Sequence, residues 1–200
     1  LLADIALEVI SDFEPCHISN ICWAFAKVGI RHEKLFEKFA ERAIQEIRRF
    51  RPQNISNLVW AFGKLEIRNG ELFGVIAEAA AKKAFCFNAQ ELANIVSAFA
   101  KVEIRDVALF QAIGDAVRAK IGSFNAQEIS NTAWAFAKLH VEDERLFLFL
   151  AKETKLKIWS FKPQNIANTA WAFATAGCWD RQLQEIAAGL FEHLRVAAAN

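Results

Sequence analysis

The sequence Asn57-Leu-Val-Trp-Ala-Phe62 returns as Asn131-Thr-Ala-Trp-Ala-Phe136 and again as Asn168-Thr-Ala-Trp-Ala-Phe173. Its first Asn and its last Phe each recur every 37 residues along the chain, from Asn20 and Phe25 onward. A second Phe and a Leu keep the same step, at Phe13, Phe50, Phe87, Phe124 and Phe161 and at Leu35, Leu72, Leu109, Leu146 and Leu183. A fixed period of about 20 to 50 residues is typical of stacked repeats, each of which buries its apolar face against its neighbours.

Each repeat carries the signals of two helices. Asn125 precedes Glu128 by three residues, which is a capping box for a first helix that ends near Lys138. A second cap, Asp143, starts a second helix that we expect to reach about Ser160. Equivalent starts of first helices are the capping box at Asn88 and the prolines Pro15, Pro52 and Pro163, and equivalent second caps are His32, Asn69, Asp106 and Asp180.

These signals predict an all-α protein, an α-solenoid like the armadillo and HEAT superhelices, built from five 37-residue helix-turn-helix repeats. The expected repeats are residues 14–50, 51–87, 88–124, 125–161 and 162–200 of a single solenoid. Residues 1–13 align with the second half of a repeat, so we expect them to form the second helix of a preceding repeat. We therefore expect the chain to be a fragment of a longer protein.

Composition argues against an enzyme, a metalloprotein and a membrane protein. The four cysteines show no paired CxxC spacing, the four histidines follow no metal-ligand spacing, and no glycine-rich phosphate loop is present. Charged residues interrupt every apolar segment, so no run approaches the roughly 18 residues of a membrane span. We expect no catalytic residues, no metal, no cofactor and no membrane partner.

The first helix has two stripes. In the first repeat Ile18, Ile21, Cys22, Phe25 and Val28 fall on one side, which we expect to be core. A polar and aromatic stripe lies opposite, at i, i+4, i+7 and i+11, and we name it the amide-indole-lysine stripe. Its members are Asn20, Trp23 and Lys27; Gln53, Asn57, Trp60 and Lys64; Gln90, Asn94 and Lys101; Gln127, Asn131, Trp134 and Lys138; and Gln164, Asn168 and Trp171.

The stripe has two interpretations. Trp can fill the space between repeats and Asn can satisfy backbone groups there, which is a purely structural role. Single-stranded RNA is also recognised by this combination of an aromatic face, an amide and a cation in each repeat. We therefore predict that RNA binds along the first helices. The net charge is only +1, so we expect modest affinity. A neighbouring column varies between repeats and contains candidate base readers: His17, Asn54, Glu91, Glu128 and Asn165.

The stretches from Phe50 to Leu65 and from Phe161 to Phe173 resemble octotricopeptide and heptatricopeptide repeats. Such repeats occur in organellar proteins, often ahead of a RAP domain, and are similar to subunits of the kinetoplastid RNA-editing substrate-binding complex. The resemblance implies an α-solenoid in the mitochondrion or chloroplast that binds single-stranded RNA, with other proteins of a ribonucleoprotein complex, in RNA processing, stability, editing or translation. Ser97, Cys16, Thr175 and Gln184 depart from the repeated pattern.

A scaffold that binds proteins or peptides is the alternative function. Armadillo repeats also line an inner helix with Trp and Asn, whose amides hold an extended peptide. A basic peptide would require acidic residues beside the tryptophans. The stripe instead carries lysines, which favour an anionic ligand such as RNA.

Overall fold

The structure is a computed structural model that describes residues 2–176, and no strand occurs within them. This part of the chain confirms the all-α prediction. The helices are α1 Leu2–Glu8, α2 Pro15–Lys27, α3 Glu33–Glu46, α4 Pro52–Lys64, α5 Gly70–Lys82, α6 Ala89–Lys101, α7 Val107–Lys120, α8 Ala126–Lys138, α9 Glu144–Lys157 and α10 Pro163–Thr175. From α2 onward, even-numbered helices are the predicted first helices and odd-numbered helices the second. The predicted cap Asp180 lies outside the described residues.

The predicted caps form at both kinds of helix. In the capping box of α6, the Glu91 backbone N–H donates to Asn88 Oδ1 and the Asn88 backbone N–H donates to the Glu91 carboxylate, both at 2.9 Å. Asp143 Oδ1 accepts from the Leu146 backbone N–H at 2.9 Å and so starts α9. The second helices end earlier than predicted, because their last residues form 3₁₀ turns, such as Ile158–Ser160 after α9.

The helices form two layers. Each first helix packs against the next first helix along the chain, and each second helix packs against the next second helix. Phenylalanine pairs join the layers, because one ring of each pair comes from a second helix and the other from the following first helix. The pairs meet edge to face, with centroids 5.1 Å apart for Phe36 and Phe62 and 4.8 Å for Phe110 and Phe136. Such pairs contribute about 0.5–1.5 kcal/mol beyond their burial.

The prediction is wrong for one residue of the core stripe. Ile18 and Cys22 are fully buried as expected, but Val28 is 69% exposed. Its counterparts Val102 and Leu139 are buried. The physical reason is position in the layer, because α6 and α8 each lie between two first helices, whereas α2 packs against only one, α4, within residues 2–176.

No helix in the described part of the chain is both long enough and apolar enough to span a bilayer.

Candidate nucleic-acid interface

The indoles of the stripe keep part of their surface open to solvent. Trp23 is 41% exposed and Trp171 is 44% exposed, while Trp60 and Trp134 are half-buried against the core. The rings of Trp23 and Trp60 lie with centroids 6.3 Å apart and planes tilted by 32°. The helices α2 and α4 therefore place their indoles side by side, and neither indole is fully buried.

A pocket of about 450 Å³ lies in the middle of the stripe, around the position where the third repeat has Ser97 in place of tryptophan. We name it the Ser97 pocket. It is lined by residues of four successive first helices: Trp60, Asn94, Ser97, Ala98, Lys101, Gln127, Asn131, Trp134 and Asn168. No carboxylate is among these lining residues. The pocket thus combines two aromatic walls, four amides and one cation.

Other stripe residues do not line this pocket. Gln53 faces a separate cavity of about 670 Å³ at the N-terminal ends of first helices, together with Arg49 and Arg51. Gln164 Nε2 donates to Asn168 Oδ1 at 2.9 Å. The remaining members are exposed or half-buried along the same stripe but outside the pocket: Asn20, Trp23, Lys27, Asn57, Lys64, Gln90, Lys138 and Trp171.

The four lysines of the stripe each form the last residue of a first helix, α2, α4, α6 and α8. Cations are favoured at a helix C-terminus, so their recurrence has a structural cause that the sequence interpretation missed. Lys27 Nζ lies 5.8 Å from the centre of the Trp23 ring, and Lys138 Nζ pairs with Glu103 at 2.9 Å. Within residues 2–176, neither Lys64 nor Lys101 has an ion-pair partner.

Lys101 is electrostatically strained. Partial burial of its ammonium group lowers the pKa of Lys101, the positive charge of Lys64 lowers it further, and the negative charge of Glu66 offsets part of this shift. Lys101 is exposed as a residue and lines the Ser97 pocket. An anion placed near Lys64 and Lys101 would favour the charged form of Lys101 and so offset this shift.

All five candidate base readers occupy the same capping position. His17 Nδ1, the amide oxygens of Asn54 and Asn165 and the carboxylates of Glu91 and Glu128 accept hydrogen bonds from the backbone N–H of the residue three positions earlier. Asn54 Nδ2 also donates to Ser19 Oγ in the preceding repeat, and Asn165 Nδ2 donates to Ser130 Oγ, both at 3.2 Å. Base reading would require these side chains to leave their caps, and it stays a prediction.

The comparisons with known proteins identify a family. A family model described as RNA-editing substrate-binding complex 6 protein matches residues 1–144. The chain belongs to this family. This membership agrees with the predicted resemblance to subunits of such a complex. The assignment to octotricopeptide or heptatricopeptide repeats stays a prediction. A second family model, of a protein of unknown function, matches residues 158–169, and no curated protein matches the chain.

A second set of lysines, also repeated every 37 residues, links neighbouring repeats through hydrogen bonds to backbone carbonyls. Lys83 Nζ donates to the Phe50 carbonyl at 3.0 Å, and Lys120 and Lys157 donate to the Phe87 and Phe124 carbonyls in the same way. Each bond joins the end of a second helix to the preceding repeat. The 37-residue step from Lys83 to Lys120 and Lys157 was a visible signal, but their partners are backbone atoms and leave no trace in the sequence.

Neither the cysteines nor the acidic residues assemble a metal site in residues 2–176, where no group of three or more His, Cys, Asp or Glu side chains comes together. Cys22 is fully buried, and this burial raises the pKa of its thiol well above the ordinary value. A buried, protonated thiol is unreactive, so Cys22 acts as a core residue.

Proposed function

We propose that this chain is a subunit of an RNA-editing substrate-binding complex and that it binds single-stranded RNA along the amide-indole-lysine stripe. The family match over residues 1–144 supports the complex and RNA editing as the process. It also supports the mitochondrion, rather than the chloroplast, as the site of action. The proposal gives the chain a binding role and no catalytic one.

The Ser97 pocket is the observation that carries RNA binding. Single-stranded RNA is bound through stacking of bases on aromatic rings, hydrogen bonds to base edges and cations near phosphates. Trp60 and Trp134 offer the rings, the amides of the lining offer donors and acceptors, and Lys101 offers the cation. A basic peptide would find no carboxylate among these lining residues.

The proposed architecture is an α-solenoid of five 37-residue repeats. It is supported by the five first helices, which all have 13 residues and pack in chain order. In such an arrangement the stripe residues of successive repeats follow one another along a single surface, which suits an extended strand.

The test is the salt dependence of binding to labelled single-stranded RNA, with Lys64 and Lys101 both changed to Ala. Each lysine that meets a phosphate contributes about 0.7 to the slope of log K against log salt for a single strand, so the slope should fall by about 1.4. The matched control changes the exposed Lys152 and Lys155 of α9 to Ala, which removes the same charge outside the stripe.

The control should keep the parent slope. Equal slopes for the parent, the stripe variant and the control would show that Lys64 and Lys101 do not contact RNA phosphates. Binding of a basic peptide in place of RNA would favour the scaffold function instead.

A further inference from the structure

The row of indoles is interrupted once. Four of the five first helices carry Trp at the stripe position, and α6 carries Ser97. The ring centres of Trp23 and Trp60, in the adjacent first helices α2 and α4, lie 6.3 Å apart. At α6 the ring is missing, and the Ser97 pocket takes its place between Trp60 and Trp134.

The floor of the pocket is fixed by close packing. A Cβ atom on Gly63 of α4 would lie 2.7 Å from both Cα and Cβ of Ala98, so these helices meet at a distance that only glycine allows. Ala98 lines the pocket, and Ser97 beside it is only 8% exposed. Within residues 2–176, Ser97 Oγ has no hydrogen-bond partner. This close contact between α4 and α6 therefore fixes one wall of the pocket, and Ser97 contributes a small, buried side chain where the other four first helices carry an indole.

We propose that the Ser97 pocket binds one purine base of single-stranded RNA, stacked between the indoles of Trp60 and Trp134. The missing indole is a fused six- and five-membered aromatic ring system, and a purine has the same fused shape. Amides of Asn94, Asn131 and Gln127 can both donate to and accept from the base edges. Lys101, at the same pocket, is placed for the phosphate of that nucleotide. This inference rests on the proposed RNA binding.

The experiment compares the affinities of the chain for labelled oligoadenylate and oligouridylate of equal length. Ser97→Trp supplies the missing indole and closes the pocket. We expect it to weaken oligoadenylate binding about tenfold, because one stacked base is lost, while oligouridylate binding changes little. The preference for purine should therefore disappear.

Two further variants separate the pocket from general stacking. Trp134→Leu removes one wall and should also abolish the purine preference. Trp171→Leu is the matched control, because Trp171 belongs to the same stripe but does not line the pocket. It should weaken both oligonucleotides equally and keep the preference. Thermal melting followed by circular dichroism shows whether Ser97→Trp folds. If it does not fold, Trp134→Leu alone tests the purine preference.

The outcomes distinguish this inference from the function on which it rests. If the parent chain binds neither oligonucleotide, the proposed RNA binding fails. If the parent binds both equally, or if Ser97→Trp and Trp134→Leu retain the parent's purine preference, the purine pocket is wrong while RNA binding stands.

Discussion

The ammonium group of Lys101 costs free energy in the folded chain, because its partial burial and the nearby charge of Lys64 both lower its pKa. A cation with a lowered pKa binds its proton less tightly in the folded than in the unfolded state. Its contribution to stability is therefore unfavourable at neutral pH. This cost begins to fall as pH rises through the folded-state pKa and is gone above the unfolded-state pKa. Residues that destabilise a fold are often retained for binding, and here phosphate is the ligand that would offset the cost.

This electrostatic coupling gives a prediction about a single residue. Lys64→Met removes a positive charge beside Lys101 and should raise the pKa of Lys101, which an NMR titration of the lysine side-chain signals measures. Lys64→Arg is the matched control, because it keeps the charge and should leave the pKa of Lys101 lowered. An unchanged Lys101 pKa in Lys64→Met would show that burial alone is the cause.

At the scale of helices, local signals predicted more than long-range ones. The second helices start where Asn69 and Asp106 were expected to cap them, because a cap is a contact between residues three apart. The backbone conformation of the short loops after the first helices was not predicted. There Glu66, Glu103 and His140 have positive φ of 54°, 56° and 50°, a conformation that favours glycine.

The candidate site was predicted in part. Spacing alone places Trp60 and Trp134 on one side of their helices, since a helix turns by a fixed angle per residue. Spacing could not predict that Ser97 leaves a pocket, because the pocket depends on how closely α4 and α6 approach at Gly63 and Ala98. It also could not show that Lys138 is already paired with Glu103.

The lysines at the ends of second helices give a prediction about how repeats are joined. Lys83→Met removes the hydrogen bond to the Phe50 carbonyl in the preceding repeat and should lower the free energy of unfolding by about 1 kcal/mol. Denaturant unfolding measures this change in the free energy of unfolding. The adjacent Lys82→Met is the matched control, since within residues 2–176 Lys82 forms an exposed pair with Glu78 that contributes a few tenths of a kcal/mol. Equal effects of the two variants would exclude the proposed joint.

At the scale of the whole molecule, stability depends on contacts between neighbours. The first helices form one row and the second helices another, and the main contacts of each helix are with its neighbours in these rows. Within residues 2–176 the buried residues form one continuous cluster from Ala3 to Phe173. If the repeats stack as proposed, we expect stability to be the sum of terms for each hairpin and each junction. Because the net charge is only +1, the proposed attraction to RNA would have to come from local lysines rather than from the whole surface.

Hydrogen exchange measured by mass spectrometry tests whether the junctions contribute independently to stability, at two distant junctions. Phe36→Leu removes the ring pair with Phe62, and Phe110→Leu removes the ring pair with Phe136. Each loss of about 1 kcal/mol should speed exchange roughly fivefold, but only near its own junction. Exchange should rise in α2 to α5 for the first variant and in α6 to α9 for the second, so each variant is the control for the other. If both variants speed exchange equally in every helix, the described chain unfolds as one cooperative unit, and additive junctions are ruled out.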